Sequence, residues 1–259
     1  MDSTLMVNKV LNLDKTSWKL TKVGDLAKDI SKRVDNPGES EYDRFVGLGN
    51  FVSGDIKIKT WETTENLASS AKAFKAGDIL FARRNAYLRR ASLVDFDGCC
   101  SGDAFVLREN HDKIVPGFLA FLMNSNALWD YANSNAAGTM SKRVKWRDLA
   151  EYEFLLPPKD QQVQLAKLLW AMDGVVEKEK EVLKELDNTY LTLVDNLFSK
   201  KGELVSLLDL GELLKGKGIP KSDVKDAGLP CVRYGELYTK HHRIIQHFLL
   251  LNQFIHRPK

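Results

Sequence analysis

The sequence contains few of the features that mark several common protein classes. Its three cysteines, Cys99, Cys100 and Cys231, form no CxxC pair, and no histidine is spaced to complete a zinc site with them. No apolar run reaches the roughly 18 residues of a membrane-spanning helix, and residues 1–15 lack the continuous apolar core of a signal peptide. We therefore expect a cytoplasmic protein in a reducing compartment, with no metal site and no membrane partner.

A strong charge of either sign is also absent. The 259 residues include 38 Lys and Arg against 35 Asp and Glu, and the net charge of +3 neither demands nor excludes a polyanionic partner. With 44% hydrophobic and 28% charged residues, the composition is that of a globular protein rather than a disordered one. The positions of the basic residues are therefore more informative than their number.

No catalytic motif stands out. The Pro157-Pro158 pair lacks the preceding Asn or Asp and the following aromatic residue that adenine methylation requires. The five histidines have no recognisable nucleophile and acid around them. We predict no catalytic residue, so a self-sufficient methyltransferase or nuclease is disfavoured. Binding of S-adenosylmethionine or ATP by the isolated chain would revive that class.

The sequence does contain a long helix with a coiled-coil seam. A series of positions steps alternately by four and three residues, and Glu179 is its one member that is not apolar. The apolar members are Leu165, Leu169, Met172, Val176, Leu183, Leu186, Tyr190, Leu193 and Leu197. Residues 159–200 are thus predicted to form a coiled-coil spacer helix about 60 Å long. The rest of the chain offers no helix of matching length, so we expect this seam to need a partner.

Residues 1–158 have the pattern of a mixed α/β domain. Short β-type runs at 45–48, 78–82 and 104–107 alternate with glycine-containing turns, and one helix is predicted over Val115–Ala132. Pro157-Pro158 ends this domain, because proline lacks a backbone donor and disfavours helix in the residue before it. The predicted fold class is α/β, a mixed α+β domain followed by one long coiled-coil helix.

Residues 201–259 echo the start of the chain. The run Asp209–Leu213 resembles Lys22–Leu26, and Cys231–Tyr234 resembles Phe45–Leu48, at offsets of 187 and 186 residues. Matches this short leave chance as an alternative. We interpret the segment as the truncated start of a second domain.

Two basic segments are candidates for contacts with nucleic acid. The first contains Arg83, Arg84, Asn85, Tyr87, Arg89 and Arg90, and the second contains Lys142, Arg143 and Lys145. Arginine can grip guanine through two hydrogen bonds, asparagine can read adenine, and both segments can hold phosphate. The alternative is that both are solvated loops whose charges pair with nearby acids, such as Asp148 and Glu151 beside the second segment.

Several stretches follow one another in the order found in a known family. They are Gly77–Phe81 with Arg83 and Arg84, Phe96–Gly102 before Phe105–Leu107, Gly138-Thr139 with Lys142-Arg143, the boundary Phe154–Val163 before the long helix, and Leu229–Tyr238. In this order they resemble the target recognition domain, the spacer helix and the opening of a second recognition domain in the specificity subunit of Type I restriction-modification systems.

The resemblance implies a non-catalytic subunit that recognises double-stranded DNA. A full-length member has two target recognition domains, each reading half of a bipartite site, and two helices packed antiparallel between them. Modification subunits, which bind S-adenosylmethionine, methylate adenine, and restriction subunits add ATP- and Mg-dependent translocation and cleavage. These cofactors are expected only in the partner subunits. The sequence leaves open whether a restriction subunit is recruited.

The resemblance is incomplete at the second domain and at the second helix. It therefore implies that two copies pair as a homodimer, which rebuilds two recognition domains and reads identical, inverted half-sites. The alternative is a structural or regulatory coiled-coil protein that pairs with or sequesters restriction-modification subunits without reading DNA. Such a protein would bind its partners and add no sequence preference to them.

Overall fold

The structure is a computed structural model that describes residues 14–139, 141–199, 202, 205–215, 218, 220–225, 228–232 and 249–251. The chain divides into two compact units, residues 1–189 and 190–259. Among the described residues, no helix is both long and apolar enough to cross a membrane. The division into a recognition domain at 1–158, a spacer helix at 159–200 and a second domain from 201 stays a prediction.

Short strands and short helices of the first unit precede one long helix, which begins in that unit and ends at Phe198, beyond the boundary at residue 189. The strands are β1 (Lys19–Lys22), β2 (Ala27–Asp29), β3 (Lys32–Val34), β4 (Arg44–Val46), β5 (Glu62–Thr63), β6 (Ala71–Phe74), β7 (Ile79–Ala82), β8 (Ala91–Leu93), β9 (Gly98–Cys100), β10 (Ala104–Glu109) and β11 (Glu153–Leu156). The helices are α1 (Val23–Leu26), α2 (Phe118–Met123), α3 (Asn126–Ser134), α4 (Trp146–Ala150) and the long α5 (Lys159–Phe198). The predicted mixed fold followed by a long helix is confirmed.

The strands of this unit form a small ribbon and two larger sheets. Strand β1 pairs with β11 in the ribbon, and the two larger sheets have the strand orders β2-β10-β7-β8 and β3-β6-β9-β4-β5. The four-stranded sheet is antiparallel throughout, whereas β4 and β9 of the other sheet run parallel. The four-stranded sheet is the central layer of the unit.

Two hydrophobic cores lie on opposite faces of that central sheet, because successive side chains of a strand point to opposite sides. One core takes Ile79, Phe81, Phe105 and Leu107 and packs them against α2, α3 and α4. The other takes Leu80, Ala82, Ala104 and Val106 and packs them against β4, β6 and β9. All eight side chains are at most 2% exposed, so β7 and β10 are buried on both faces.

The single helix predicted over Val115–Ala132 is wrong, since the structure has two helices there, α2 and α3. The break falls at Asn124, whose side-chain amide donates to the carbonyls of Ala91 (2.8 Å) and Ala120 (2.9 Å). The next residue, Ser125, caps α3 by accepting from the Leu128 amide. The bonds of Asn124 to Ala120 and of Ser125 to Leu128 are local and compete with helical ones, and the longer-range bond to Ala91 holds Asn124 in place, which explains the interruption.

The first turns of α5 are packed onto the domain. Gln162 is 1% exposed, and its side-chain oxygen accepts from the Val115 amide at 2.9 Å while its nitrogen donates to the Pro157 carbonyl at 2.9 Å. Two turns further on, the ring of Trp170 meets that of Phe121 edge to face, with centroids 4.7 Å apart. The start of the helix is therefore fixed to α2 and to the loop before it.

The second unit contains α6 (Leu207–Leu210) and an antiparallel sheet with β14 (Leu249–Leu251) between β12 (Val224–Lys225) and β13 (Leu229–Cys231). Ser206 caps α6 by accepting from the Leu208 amide. Residues 233–238, which include part of the predicted second opening, lie outside the described residues. The interpretation of 201–259 as a second domain start thus stays a prediction.

The buried amide of Gln162 gives a prediction about stability. Gln162→Ala leaves the Val115 amide and the Pro157 carbonyl without their partner, so the free energy of unfolding is expected to fall by about 2 kcal/mol. Thermal or urea unfolding of the purified chain measures this change. The matched control is Gln164→Ala, an exposed position on the same helix, which is expected to change stability by less than about 0.5 kcal/mol. Equal losses in both variants would contradict the role of Gln162.

Candidate nucleic-acid interface

The first basic segment forms a tight loop at the end of β7. A single 3-10 turn, Ala86–Leu88, is flanked by Asn85 and Arg89, and both of these have the left-handed backbone conformation, with φ of 54° and 49°. Asparagine tolerates this conformation well, whereas arginine adopts it only when its surroundings hold it there. The turn projects Tyr87, which is 68% exposed, away from the domain.

Contacts within the loop and with neighbouring parts of the domain maintain this shape. Arg90 donates to the carbonyls of Leu48 (2.9 Å) and Arg84 (3.3 Å), and Arg89 donates to the side-chain oxygen of Asn126 at 2.7 Å. The guanidinium of Arg83 lies over the Phe105 ring, 5.2 Å from its centroid. These arginines therefore already use part of their bonding capacity inside the protein.

The second basic segment lies directly against the first. The Asn85 amide donates to the Lys142 carbonyl at 3.0 Å, and the Val144 amide donates to the Arg83 carbonyl at 2.9 Å. Arg84 also donates through Nε to the Ser141 hydroxyl at 2.7 Å. The structure thus joins two segments that are more than 50 residues apart in the sequence, and we call the resulting surface the paired basic loops.

Asp103, which the sequence analysis did not select, holds the two loops together. Its carboxylate accepts from Nε of Arg143 at 2.9 Å and from Nη2 at 3.3 Å, and Arg84 Nη1 lies 3.7 Å away. The hydrogen bond from Arg143 keeps the pKa of Asp103 below its usual range despite partial burial. In the sequence, Asp103 stands directly before the β-type run at 104–107. The register of β10 with β7 pairs Ala104 with Ala82 and so puts Asp103 beside Arg83.

The predicted residues of the paired basic loops differ in how much they offer to a ligand. Arg84, Tyr87, Lys142 and Lys145 are exposed, and Arg143 keeps 42% of its side-chain surface beside Asp103. Arg83, Asn85 and Arg90 are only partly exposed, and their contacts mainly shape the loop. Arg89 keeps 42% of its side-chain surface while it contacts Asn126 and Asp130. The exposed set combines forked and point cations with an aromatic ring, which suits phosphate, base edges and base faces.

The predicted seam lies on a face of α5 whose exposure increases along the helix. Leu165 and Leu169 are partly buried, and Leu169 lines a small apolar groove with Trp18, Phe118 and Phe154. The later members are at least 43% exposed, and they are Met172, Val176, Leu183, Leu186, Tyr190, Leu193 and Leu197. An exposed apolar stripe of this length, interrupted at Glu179, is typical of an interaction surface rather than of an ordinary solvated face.

The described residues contain no cluster of three or more His, Cys, Asp or Glu side chains that could hold a metal ion. Burial raises the pKa of the Cys99 thiol to about 11 and that of Cys100 to about 12, so both stay protonated near neutral pH. A protonated, buried thiol is a poor nucleophile. Neither cysteine is therefore a candidate for covalent chemistry.

The chain is similar in sequence to known specificity subunits of Type I restriction enzymes. The model of the Type I restriction modification DNA specificity domain matches residues 15–188. The Type I restriction enzyme EcoDI specificity subunit of Escherichia coli is 24% identical over 205 residues, which are 77% of this chain and 45% of that protein. The HindI specificity subunit of Haemophilus influenzae is 23% identical over 190 residues, or 71% of this chain and 41% of that protein.

Two solved structures share the fold. One, described as the basis of complex assembly and conformational transition of the type I R-M system, has a TM-score of 0.55 and 26% identity, covering 83% of this chain and 60% of that one. The HsdS subunit from Thermoanaerobacter tengcongensis has a TM-score of 0.53 and 25% identity, with the same coverage.

The chain spans less than half the length of the two curated relatives that it matches. The matched residues 15–188 include both paired basic loops and most of α5, so the shared region contains the candidate site as well as the fold. The resemblance drawn from Gly77–Arg84, Gly138–Arg143 and Phe154–Val163 is confirmed. This chain belongs to the Type I restriction modification DNA specificity domain family.

Proposed function

We propose that this chain is a DNA-recognition subunit whose paired basic loops read one half of a bipartite target. The observation that supports this most directly is the joining of residues 83–90 to residues 141–145 around Asp103, which makes one basic surface from two distant segments. Arg84, Tyr87, Lys142, Arg143 and Lys145 would contact DNA. Arg83, Asn85, Arg89 and Arg90 would hold the loop in its binding shape.

The side chains of the paired basic loops have different roles in recognition. A guanidinium such as that of Arg84 can donate two hydrogen bonds to guanine, and Lys142 provides a phosphate contact without sequence preference. Asp103 keeps Arg84 and Arg143 ordered before DNA arrives, so less conformational entropy is lost on binding. The same carboxylate repels phosphate, and this weakens binding to arbitrary sequences.

The proposed function also requires partner subunits. The exposed face of α5 supports one such partner, a second copy of this chain. An apolar stripe that stays exposed along this helix fits pairing with the α5 of a second copy, giving a homodimer with two recognition domains. Two-fold symmetry then requires identical, inverted half-sites. We place the adenine methylation in modification subunits that bind S-adenosylmethionine, and any ATP- and Mg-dependent cleavage in restriction subunits. This assembly would act on DNA in the cytoplasm.

The first test separates base reading from phosphate binding. The chain is co-expressed with a modification subunit of its family, and adenine methylation is mapped on plasmid DNA. Arg84→Ala is expected to relax one position of the target, at a cost of about 1–3 kcal/mol. Lys142→Ala is expected to weaken binding to DNA of every sequence alike. It is also expected to lower, by about 1, the slope of the logarithm of the affinity against the logarithm of the salt concentration.

The matched control is Arg33→Ala, which removes an exposed arginine paired with Asp35 away from the paired basic loops. It is expected to leave the target and the salt slope unchanged. If Arg84→Ala and Lys142→Ala methylate the same sites at the parent rate, the residue assignments are wrong. A complex that forms and adds no sequence preference would favour the regulatory coiled-coil alternative.

A second prediction concerns Asp103. Asp103→Asn removes one negative charge from the paired basic loops, so non-specific DNA binding at low salt is expected to strengthen by on the order of 1 kcal/mol. Discrimination between target and non-target DNA is expected to fall. Fluorescence anisotropy with target and scrambled duplexes measures both effects. Asp35→Asn is the control, and an equal gain in both variants would mean that only net charge matters.

The third prediction concerns pairing through the seam. Leu186→Glu places a charge in the centre of the apolar stripe and is expected to convert a dimer into a monomer, because a buried unpaired carboxylate is costly. The control, Leu191→Glu, changes an exposed leucine of the same helix that is not in the seam and is expected to stay dimeric. Analytical ultracentrifugation measures both masses. A parent chain with the mass of one copy would overturn the homodimer.

A further inference from the structure

Four charged side chains connect the domain to α5 beyond the apolar contacts at its start. Asp55 accepts from Lys59 Nζ at 2.7 Å and from Lys180 Nζ at 2.5 Å. Glu177, on α5, accepts from Lys180 at 3.0 Å and also from Lys59. Each cation thus touches both acids, and we call this arrangement the domain–helix cluster.

The domain side of this cluster is rigidly held. The side chain of Asp55 is only 5% exposed, and its backbone carbonyl accepts from the buried Ser92 hydroxyl at 2.8 Å. The same segment is bonded to β8, since Ile58 donates to the Leu93 carbonyl and Leu93 donates to the Ile56 carbonyl. The cluster therefore links the helix to a segment that is itself hydrogen-bonded to β8, an edge strand of the central sheet.

Electrostatics favour the paired state of the cluster. Burial alone would raise the pKa of Asp55, but the hydrogen bonds from Lys180 and Lys59 outweigh it, and the pKa is lowered. The pKa of Glu177 is lowered mainly by the hydrogen bond from Lys59. Both acids are thus ionised near neutral pH, and two acids and two bases leave the cluster without net charge.

A second attachment between the domain and α5 lies at Trp170. Trp170 packs against Phe121 and against Gly117, where a β-carbon would lie 3.1 Å from the indole, and Lys57 lies over the same indole at 5.0 Å. Trp170 and Lys180 are ten residues apart, which is about 15 Å along a helix. One attachment point allows the domain to pivot on the helix, whereas two points at this separation fix its angle.

The angle of the recognition domain on α5 matters because the two half-sites have a defined separation and rotation along the DNA. Adding one base pair to the gap between half-sites moves them apart by about 3.4 Å and rotates one against the other by about 34°. A recognition domain that pivots on its helix by a comparable angle can follow such a change. A fixed domain cannot follow it without losing contacts.

We propose that the domain–helix cluster fixes the angle of the recognition domain on α5 and thereby restricts the target to one gap length between its half-sites. Asp55, Lys59, Glu177 and Lys180 are positioning residues in this scheme, since they act through the paired basic loops and do not contact DNA themselves. The inference rests on the proposed function, because a gap exists only when two half-sites are read.

The test variant is Glu177→Gln with Lys180→Met, which removes one acid and one base and so keeps the net charge. Its matched control, Glu181→Gln with Lys184→Met, makes the same changes at the same spacing on exposed positions of the same helix. Both are co-expressed with the modification subunit, and methylation is measured on a plasmid library in which the gap varies by one base pair in each direction.

We expect the cluster variant to recognise the same half-site bases as the parent. Its preference for the parental gap over the other gaps is expected to be about tenfold smaller. The control is expected to keep both. A cluster variant that methylates the same single gap as the parent overturns the proposal. A purely structural role would lower methylation of every gap alike, so the ratio between gaps separates positioning from a loss of stability.

A second measurement uses the isolated chain and needs no DNA. Nitroxide labels are attached at Lys75→Cys, on the turn between β6 and β7, and at Lys178→Cys on α5, with the labelled parent as the background for its buried native cysteines. Pulsed electron paramagnetic resonance is expected to show a broader distance distribution in the cluster variant than in the control. Equal widths overturn the proposal. If the parent yields no methylated motif, the proposed function fails, and this measurement still decides whether the cluster holds the domain.

Discussion

The antiparallel pairing of β10 with β7 is the constraint on which both the fold and the candidate site depend. Its register places Phe105 opposite Phe81 and Val106 opposite Leu80, so each strand supplies side chains to both hydrophobic cores. A shift of one residue would exchange the two faces and bury neither set against its present neighbours. The same register places Asp103 at the end of β7, where the basic loop begins, so packing in the core determines where the charges of the site meet.

The amount of structure that the sequence could predict follows from how local each signal is. The heptad pattern of α5 lies within one continuous segment, and the β-type runs at 78–82 and 104–107 mark buried strands that the structure contains. The break at Asn124 depends on a bond to the carbonyl of Ala91, 33 residues away, and no local pattern of apolar residues reveals it. Periodicity therefore predicted the long helix well and joined two short ones incorrectly.

The candidate site was predictable in composition but not in arrangement. The sequence shows where the basic residues are, whereas the turning of Arg90 towards the Leu48 carbonyl and the bracing of Arg143 by Asp103 depend on tertiary contacts. The two interpretations of the basic segments, DNA contact and internal ion pairing, turn out to be compatible in the geometry. Some arginines form internal bonds that fix the loop, and the remaining exposed cations gain order from that loop.

The helix α5 presents two neighbouring faces with different chemistry. The face towards the domain contains Gln162, Ala166, Trp170, Glu177 and Lys180. Besides apolar packing, it uses the buried amide of Gln162 and the partly exposed ion pairs of Glu177 and Lys180, whose hydrogen bonds require one geometry. The seam lies beside this face, since Leu183 follows Lys180 by three residues at about 100° each and is thus about 60° around the helix from it. Apolar packing tolerates small adjustments, whereas directed hydrogen bonds do not. Fixing the domain on one face therefore also fixes the direction in which the seam points. The polar contacts of the domain face thus determine how any helix that packs on the seam is oriented relative to the paired basic loops.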